Sequence, residues 1–240
     1  MDQVIEVDVV ILSYAQNDEL KNTTLAAIDS LRKSEDSCYI NFNIVIVESQ
    51  QSLWPYQYPG TITLYPDTAF GYHRFMNIGI EVGSSPYVCL CNNDVIFYRN
   101  WASEILKPLI KFRNIVSASP FCPVHHPSFG FKINDGFKPG YRIRLEVAGW
   151  CIIMKRELFA ATGKLDENYV FWYSDNDYSN TLWCLNLWHV LVTSSLVEHL
   201  ESKTLKQQSA DREQELTEKA GVYFQKKWKF RLGNGWTPFD

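Results

Sequence analysis

Asp94 closes an apolar run of strand length, Tyr-Val-Cys-Leu-Cys-Asn-Asn-Asp at residues 87–94, which stops at two amides and a carboxylate. A carboxylate fixed at the end of a buried strand can ligate a divalent cation or line a phosphate site. The triplet Asn92-Asn93-Asp94 can equally be a plain turn, because Asn and Asp side chains bond their own backbone. On these residues alone the two readings carry equal weight. Two further apolar runs stop in polar residues, one at Ser13-Tyr14 and one at Glu48-Ser49. Ser174-Asp175-Asn176-Asp177 follows an aromatic run and reads as a helix start with Asp175 as its cap. His199 ends the last apolar run, where a histidine is commonly a satisfied core residue. His125-His126 could hold a metal or touch a substrate, although adjacent histidines in a loop more often face solvent.

These residues need a frame that brings distant strand ends together. Residues 7–14 (Val-Asp-Val-Val-Ile-Leu-Ser-Tyr) are β-branched and almost continuously apolar, as expected of a strand covered on both faces. Asn17 or Asp18 then caps a helix with the stripe Leu20, Leu25, Ile28 and Leu31. Strands are predicted again at 44–47, at 61–65, from 87 to the polar stop at 92–94, and at 115–118, with helices over 70–82 and 101–112 between them. Alternation of this kind argues for an α/β, Rossmann-like, mostly parallel central sheet with helices on both faces. Ligands of such sheets bind outside the carboxyl ends of the strands. Three strands here end there in polar residues, which raises the site reading of Asp94 above the turn reading.

The second half is less regular. Residues 120–146 form a long connection, and long connections are often functional. A strand over 147–154, interrupted by Gly149-Trp150, is followed by a short helix over 156–162, which Gly163 ends. Strands are predicted at 189–193 and 196–199. A last helix over 207–229 carries the stripe Leu216, Ala220, Tyr223, Phe224 and Trp228. No repeat or linker divides the chain, so it reads as one domain of 240 residues.

The net charge of -4 gives no basic footprint for nucleic acid or a membrane surface. No stretch approaches the ~18 apolar residues of a membrane span, and the N-terminus lacks the pattern of a secretion signal. A soluble cytoplasmic protein is expected, in the host cytoplasm if the chain is viral. The six cysteines read as reduced core residues, and the Cys89, Cys91 spacing argues against a structural zinc site.

The order and spacing of these segments resemble a family 2 glycosyltransferase, a nucleotide-sugar enzyme of the GT-A fold. The matching segments run from residue 7 to residue 228: Val-Val-Ile-Leu-Ser-Tyr, Ile-Val-Ile-Val-Glu-Ser, Gly-Tyr-His-Arg-Phe-Met-Asn-Ile-Gly-Ile and Leu-Cys-Asn-Asn-Asp-Val in the first half. Gly-Trp-Cys-Ile-Ile-Met-Lys-Arg-Glu-Leu-Phe, Trp-Tyr-Ser-Asp-Asn-Asp, Val-Glu-His and Tyr-Phe-Gln-Lys-Lys-Trp follow in the second.

The resemblance implies a nucleotide-sugar-binding half over 1–119 and an acceptor half with a closing helix over 120–240. It assigns Ser13, Tyr14, Glu48, Asn77, Asn92 and Asn93 to the donor nucleotide. Asp94 takes the last place of an Asp-x-Asp motif, with Asn92 as a departure, and ligates Mn²⁺ or Mg²⁺ together with His199. Asp175 stands where the family has its catalytic base, with Ser174 in place of an acid. Trp150, Trp172 and Tyr173 are the candidate acceptor platform, core packing being the competing role for at least two of the aromatic residues in this region. The implied partners are a nucleotide-sugar donor and a glycan or other hydroxyl-bearing acceptor, with nucleic acid only as a modified-base acceptor. Oligomeric state, donor and acceptor are not specified. A non-catalytic nucleotide- or glycan-binding module on the same fold, or a related nucleotidyltransferase, are the competing functions. The second would normally carry a Gly-rich basic loop after the first strand, and Ser-Tyr-Ala-Gln-Asn is not one.

Overall fold

The structure is a computed structural model that describes residues 4–200 and 210–232, with the side chains of the last helix described over 218–229. The first strand, β1 (Ile5–Ser13), is buried on both faces, with Val7, Val9, Val10 and Ile11 fully inaccessible. Alternation of side chains sorts these residues. Val7, Val9 and Ile11 pack with Ala27, Ile28 and Leu31 of α1 (Asp18–Ser34), whereas Val10 packs with Phe75, Met76 and Ile80 of α2 (Tyr72–Val82). Asn17 caps α1, its side chain accepting the Leu20 amide at 2.9 Å. Helix α2 comes so close that a Cβ on Gly79 would sit 2.3 Å from Val10 Cγ1.

The chain continues through β2 (Ile40–Glu48), β3 (Ile62–Leu64), β4 (Tyr87–Asn92), β5 (Val95–Phe97), α3 (Trp101–Lys111) and β6 (Ile115–Phe121). Then come β7 (Phe137–Pro139), β8 (Cys151–Lys155), α4 (Leu158–Thr162), α5 (Ser174–Cys184), β9 (Trp188–His199) and α6 (Ala210–Leu232). The sheet order is β3-β2-β1-β4-β8-β6-β9-β5, with β7 also on β9. Strands β1, β2, β3, β4, β6 and β9 run one way, and β8 is inserted antiparallel between β4 and β6. The mostly parallel sheet with helices on both faces is as expected. Among the described residues no helix is long and apolar enough to cross a membrane.

Several expectations are corrected. The apolar run from Tyr87 stops at Asn92 as expected, but a further short strand, β5, follows the bend at Asn93 and Asp94 before α3. The segment 148–150 is a turn, closed by a Cys151 amide to Ala148 carbonyl bond of 2.9 Å, so β8 starts only at Cys151. The two late strands are one strand that changes partner. Its first part lies beside β6 and β7, and its last residues pair with β5. The long connection contains a short 3-10 helix, His126–Phe129, and β7. Asp175 does not cap α5; the cap position is Tyr173, in the left-handed region at φ 65°. Gly163 ends α4 at φ 72°, as expected of a residue without a Cβ. The predicted start of the last helix at 207 and the side chain of Leu216 lie outside the described residues.

Candidate active site at the carboxyl edge of the sheet

Strand register assembles the site. Ser13 stands opposite Glu48 and Leu12 opposite Asn92, so the polar ends of β1, β2 and β4 form one edge. The Asn92 amide donates to the Trp150 carbonyl at 2.9 Å, which brings the turn before β8 to the same edge. Val95 pairs with His199, and the Leu200 amide donates to the Asp94 carbonyl at 2.9 Å. Residues more than a hundred positions apart thus become neighbours.

At that junction His199 Nε2 lies 3.4 Å from Asp94 Oδ1, but the two do not align as a hydrogen bond. Asp94 is 6% exposed. Its Oδ2, His199 Nε2 and Trp150 Nε1 are three of the six buried side-chain polar atoms without a partner among the described residues. Leaving such a group unpaired costs about 1–3 kcal/mol, so their convergence suits a bound ligand. A carboxylate oxygen and an imidazole nitrogen are donors for Mn²⁺ or Mg²⁺. No cluster of three or more His, Cys, Asp or Glu side chains occurs among the described residues, so a cation here would draw its other ligands from substrate and water.

The donor-side residues divide by burial. Tyr14 and Asn92 are half-exposed at the edge, Tyr14 with its hydroxyl 2.6 Å from Gln16 Nε2. Below them runs a buried chain of hydrogen bonds. Asn93 Nδ2 donates to Thr24 Oγ1 at 2.9 Å, Thr24 pairs with Ser13 Oγ at 2.9 Å, and Ser13 lies 3.3 Å from the Tyr58 hydroxyl. Tyr58 donates to Glu48 Oε2 at 3.0 Å. Glu48, 0% exposed, also accepts the Ala15 and Gln50 amides at 3.1 and 2.8 Å through Oε1. Its carboxylate holds the loop after β1 rather than facing an open surface. Asn77 is likewise engaged: it donates to the Leu165 carbonyl and Glu167 Oε1 and accepts the Leu165 amide, joining α2 to the segment between α4 and α5.

Asp175 reaches the site through Gly149. A Cβ on Gly149 would be 2.9 Å from Asp175 Oδ2, so the carboxylate lies directly against the glycine that precedes Trp150. Tyr72 closes the same space, its hydroxyl 3.4 Å from the Gly149 carbonyl. The residue is partly exposed, yet its carboxyl is enclosed by protein, and that burial raises its pKa. Amide bonds from Asn176 and its own backbone, and the charge of Arg144, act in the opposite direction without reversing the shift.

The candidate aromatic platform is mostly packed. Trp150 is stacked on His199, with ring centroids 5.0 Å apart and planes 3° from parallel. Tyr173 packs on Phe224 at 5.1 Å, and Trp172 lies against the Tyr169, Phe224, Trp228 cluster. His126 is fully buried, contrary to the solvent-facing expectation. It accepts the Cys122 amide at 2.7 Å and faces the Leu145 carbonyl at 2.9 Å, and burial lowers its pKa to about 4. Its neighbour His125 binds the Arg144 carbonyl at 2.8 Å. Neither is a free ligand.

Sequence reasoning missed one element of the site. Lys227 bridges Asp166 at 2.7 Å and Asp177 at 2.8 Å, Trp228 Nε1 donates to Asp177 at 2.9 Å, and Tyr223 donates to Asp166 at 3.0 Å. These bonds fasten α6 to the first turn of α5, where Asp175 sits. The only sequence signal was a lysine beside the apolar stripe, with nothing to show its partners.

Similarity to proteins of known structure supplies the remaining observation. No family model and no curated protein matches the chain. Solved structures do. GalNAc-T7 with UDP, GalNAc and Mn²⁺ aligns at TM-score 0.65 and 15% identity over 82% of this chain and 43% of its own. A mannosyltransferase from Pyrobaculum calidifontis, in complex with GDP-Man and Mn²⁺, aligns at 0.64 and 10% over 85% and 59%. Glucosyl-3-phosphoglycerate synthase from Mycobacterium tuberculosis, with Mn²⁺, UDP and glucosyl-3-phosphoglycerate, aligns at 0.63 and 12% over 92% and 79%. The chain has the GT-A fold. It therefore spans less than two thirds of the first two GT-A proteins, and its likeness to all three is one of architecture, since identity is low throughout.

Proposed function

We propose that this GT-A chain is a glycosyltransferase that moves a sugar from a nucleoside-diphosphate sugar to an acceptor hydroxyl, with inversion and metal assistance. The observation that carries the reading is the convergence of unpaired Asp94 Oδ2 and His199 Nε2 at the carboxyl edge of the sheet. Asp94 and His199 would hold Mn²⁺ or Mg²⁺. When bound, such a cation neutralises charge on the leaving diphosphate. Tyr14 and Asn92 line the nucleotide, while Ser13, Glu48 and Asn93 fix the edge from beneath and Asn77 ties it to the acceptor half. Asp175 accepts the proton of the acceptor hydroxyl as its oxygen bonds to the anomeric carbon and the bond from that carbon to the diphosphate breaks. Burial supports this role, because a carboxylate with a raised pKa is a stronger base. Trp172 and Tyr173, held by α6, shape the acceptor side.

The test is transfer or hydrolysis of UDP- and GDP-sugars with and without Mn²⁺, in wild type and in Asp175→Asn. Mn²⁺-dependent turnover that Asp175→Asn abolishes supports the reading. No turnover with any donor, together with unaltered cellular function of Asp175→Asn, would sink it in favour of a binding module.

A further inference from the structure

The indole of Trp150 is fixed from several sides. One face stacks on His199, and His125 and His126 pack against it with centroids at 5.1 and 5.8 Å. His125 is held by the Arg144 carbonyl, and His126 by the Cys122 amide and the Leu145 carbonyl. At 7% exposure the ring faces are closed to a stacking sugar. Its Nε1–H, a group that can only donate, nevertheless has no acceptor among the described residues and no contact with solvent. Buried indole N–H groups as a rule find a partner. Here the ring that carries the unpaired donor touches His199, whose Nε2 is unpaired beside the equally unpaired Asp94 Oδ2. A cation satisfies the last two atoms but repels a donor. A ligand that brings an oxygen acceptor together with the cation satisfies the indole N–H as well, and a charged phosphate oxygen makes the stronger bond.

We propose that Trp150 is a diphosphate-binding residue. Its Nε1–H donates to a phosphate oxygen of the ligand held at Asp94 and His199, and its ring face fixes the His199 imidazole. This rests on the proposed function, which supplies the diphosphate. It also separates Trp150 from the acceptor side, where an aromatic residue would act by stacking.

Trp150→Phe keeps an aromatic ring beside His199 but deletes the N–H together with part of the indole's packing, so the unchanged affinity for Mn²⁺ alone and the indole ¹⁵N signal of wild type serve as the controls that isolate the N–H. The variant's affinity for Mn²⁺ alone, read by electron paramagnetic resonance, is expected to stay within about twofold of wild type. Its affinity for Mn²⁺ with pyrophosphate, UDP or GDP is expected to fall about tenfold or more, the worth of a hydrogen bond to a charged acceptor. Trp150→Ala is expected to weaken Mn²⁺ alone as well, because His199 loses its support. In the wild-type protein labelled with ¹⁵N-indole tryptophan, one of the eight indole signals should move downfield with Mg²⁺ and pyrophosphate but not with Mg²⁺ alone. Equal pyrophosphate affinity in wild type and Trp150→Phe, or no indole shift, overturns the proposal and leaves the function standing. A loss confined to the intact nucleotide sugar also overturns it, because the acceptor oxygen would then belong to the sugar. Absence of any Mn²⁺ or nucleotide binding to wild type overturns the functional reading, and this inference with it.

Discussion

Asp94 and Asp175 are both carboxylates at the ends of buried elements, but their surroundings give them different tasks. Among the described residues Asp94 has an unpaired oxygen near the unpaired Nε2 of His199, which suits it to the proposed cation. Asp94→Asn keeps shape and removes charge. It should weaken Mn²⁺ binding by more than the ~10- to 100-fold typical of losing a residue that merely orients a ligand, as a Mn²⁺ titration followed by electron paramagnetic resonance would show. Asp175 has a raised pKa caused by burial. Activity should therefore fall on the acid side at a pH above that of an ordinary carboxylate, and Asp175→Asn should lower kcat by ~10²- to 10⁴-fold. The stability consequence has the opposite sign. A carboxyl whose folded pKa is raised destabilises the fold while ionised, and the penalty fades as pH falls through the raised value. Asp175→Asn should thus raise the thermal midpoint at pH 7, and the gain should shrink on acidification. A lower midpoint at pH 7 would show that the carboxylate is structurally satisfied and poorly suited to be a base.

At the level of elements, α6 is more than a covering helix. Burial disfavours the charge of Lys227, but Asp166 and Asp177 outweigh it, so its pKa is raised. Asp166 is lowered to about 2; burial opposes its charge, and Lys227 and Asn168 more than compensate. The lysine's contribution is present below its unfolded pKa of ~10.4 and lost as pH rises through the folded value. That of Asp166 is present at neutral pH and lost toward pH ~2. Lys227→Met leaves two carboxylates without their cation and should cost about 1–3 kcal/mol by urea denaturation, less than a fully buried pair because Lys227 is partly exposed. It should also loosen the first turn of α5, detected as faster amide exchange at Asp177, whose amide bonds the Tyr173 carbonyl at 2.9 Å. Gly79 is the corresponding point on α2. Because a Cβ added there would lie only 2.3 Å from Val10 Cγ1, Gly79→Ala should cost about 1–3 kcal/mol through overpacking, measured the same way.

At the scale of the whole molecule, the carboxyl edge of the sheet and the second half of the chain meet through Asn77, Gly149 and the α6 latch, so a donor bound at the edge, as proposed, should stabilise both. Thermal unfolding with a panel of nucleotide sugars and Mn²⁺ should show one nucleotide raising the midpoint, and EDTA should remove the gain. A midpoint indifferent to every nucleotide would count against the donor site. The parallel sheet was legible in the sequence because a strand covered on both faces must be apolar almost throughout, as residues 7–14 and 44–47 are. Asp94 could be found because a carboxylate interrupting such a run needs a reason to be there. Gly149-Trp150 marked a break in the sequence, but the start of β8 only at Cys151, the single long β9 and the noncapping position of Asp175 were not legible, since each depends on tertiary pairing and packing. The sequence by itself determined the α/β pattern, the polar strand ends and a set of candidate residues in order. Only the tertiary structure decided that Asp94, His199 and Trp150 share one junction, that Glu48 and Asn77 face inward, and that Lys227 ties the last helix to the one bearing Asp175. Periodicity is a local property of the chain, whereas most of these contacts join residues far apart in sequence, about a hundred positions for Asp94 and His199, and are created by strand register and helix docking.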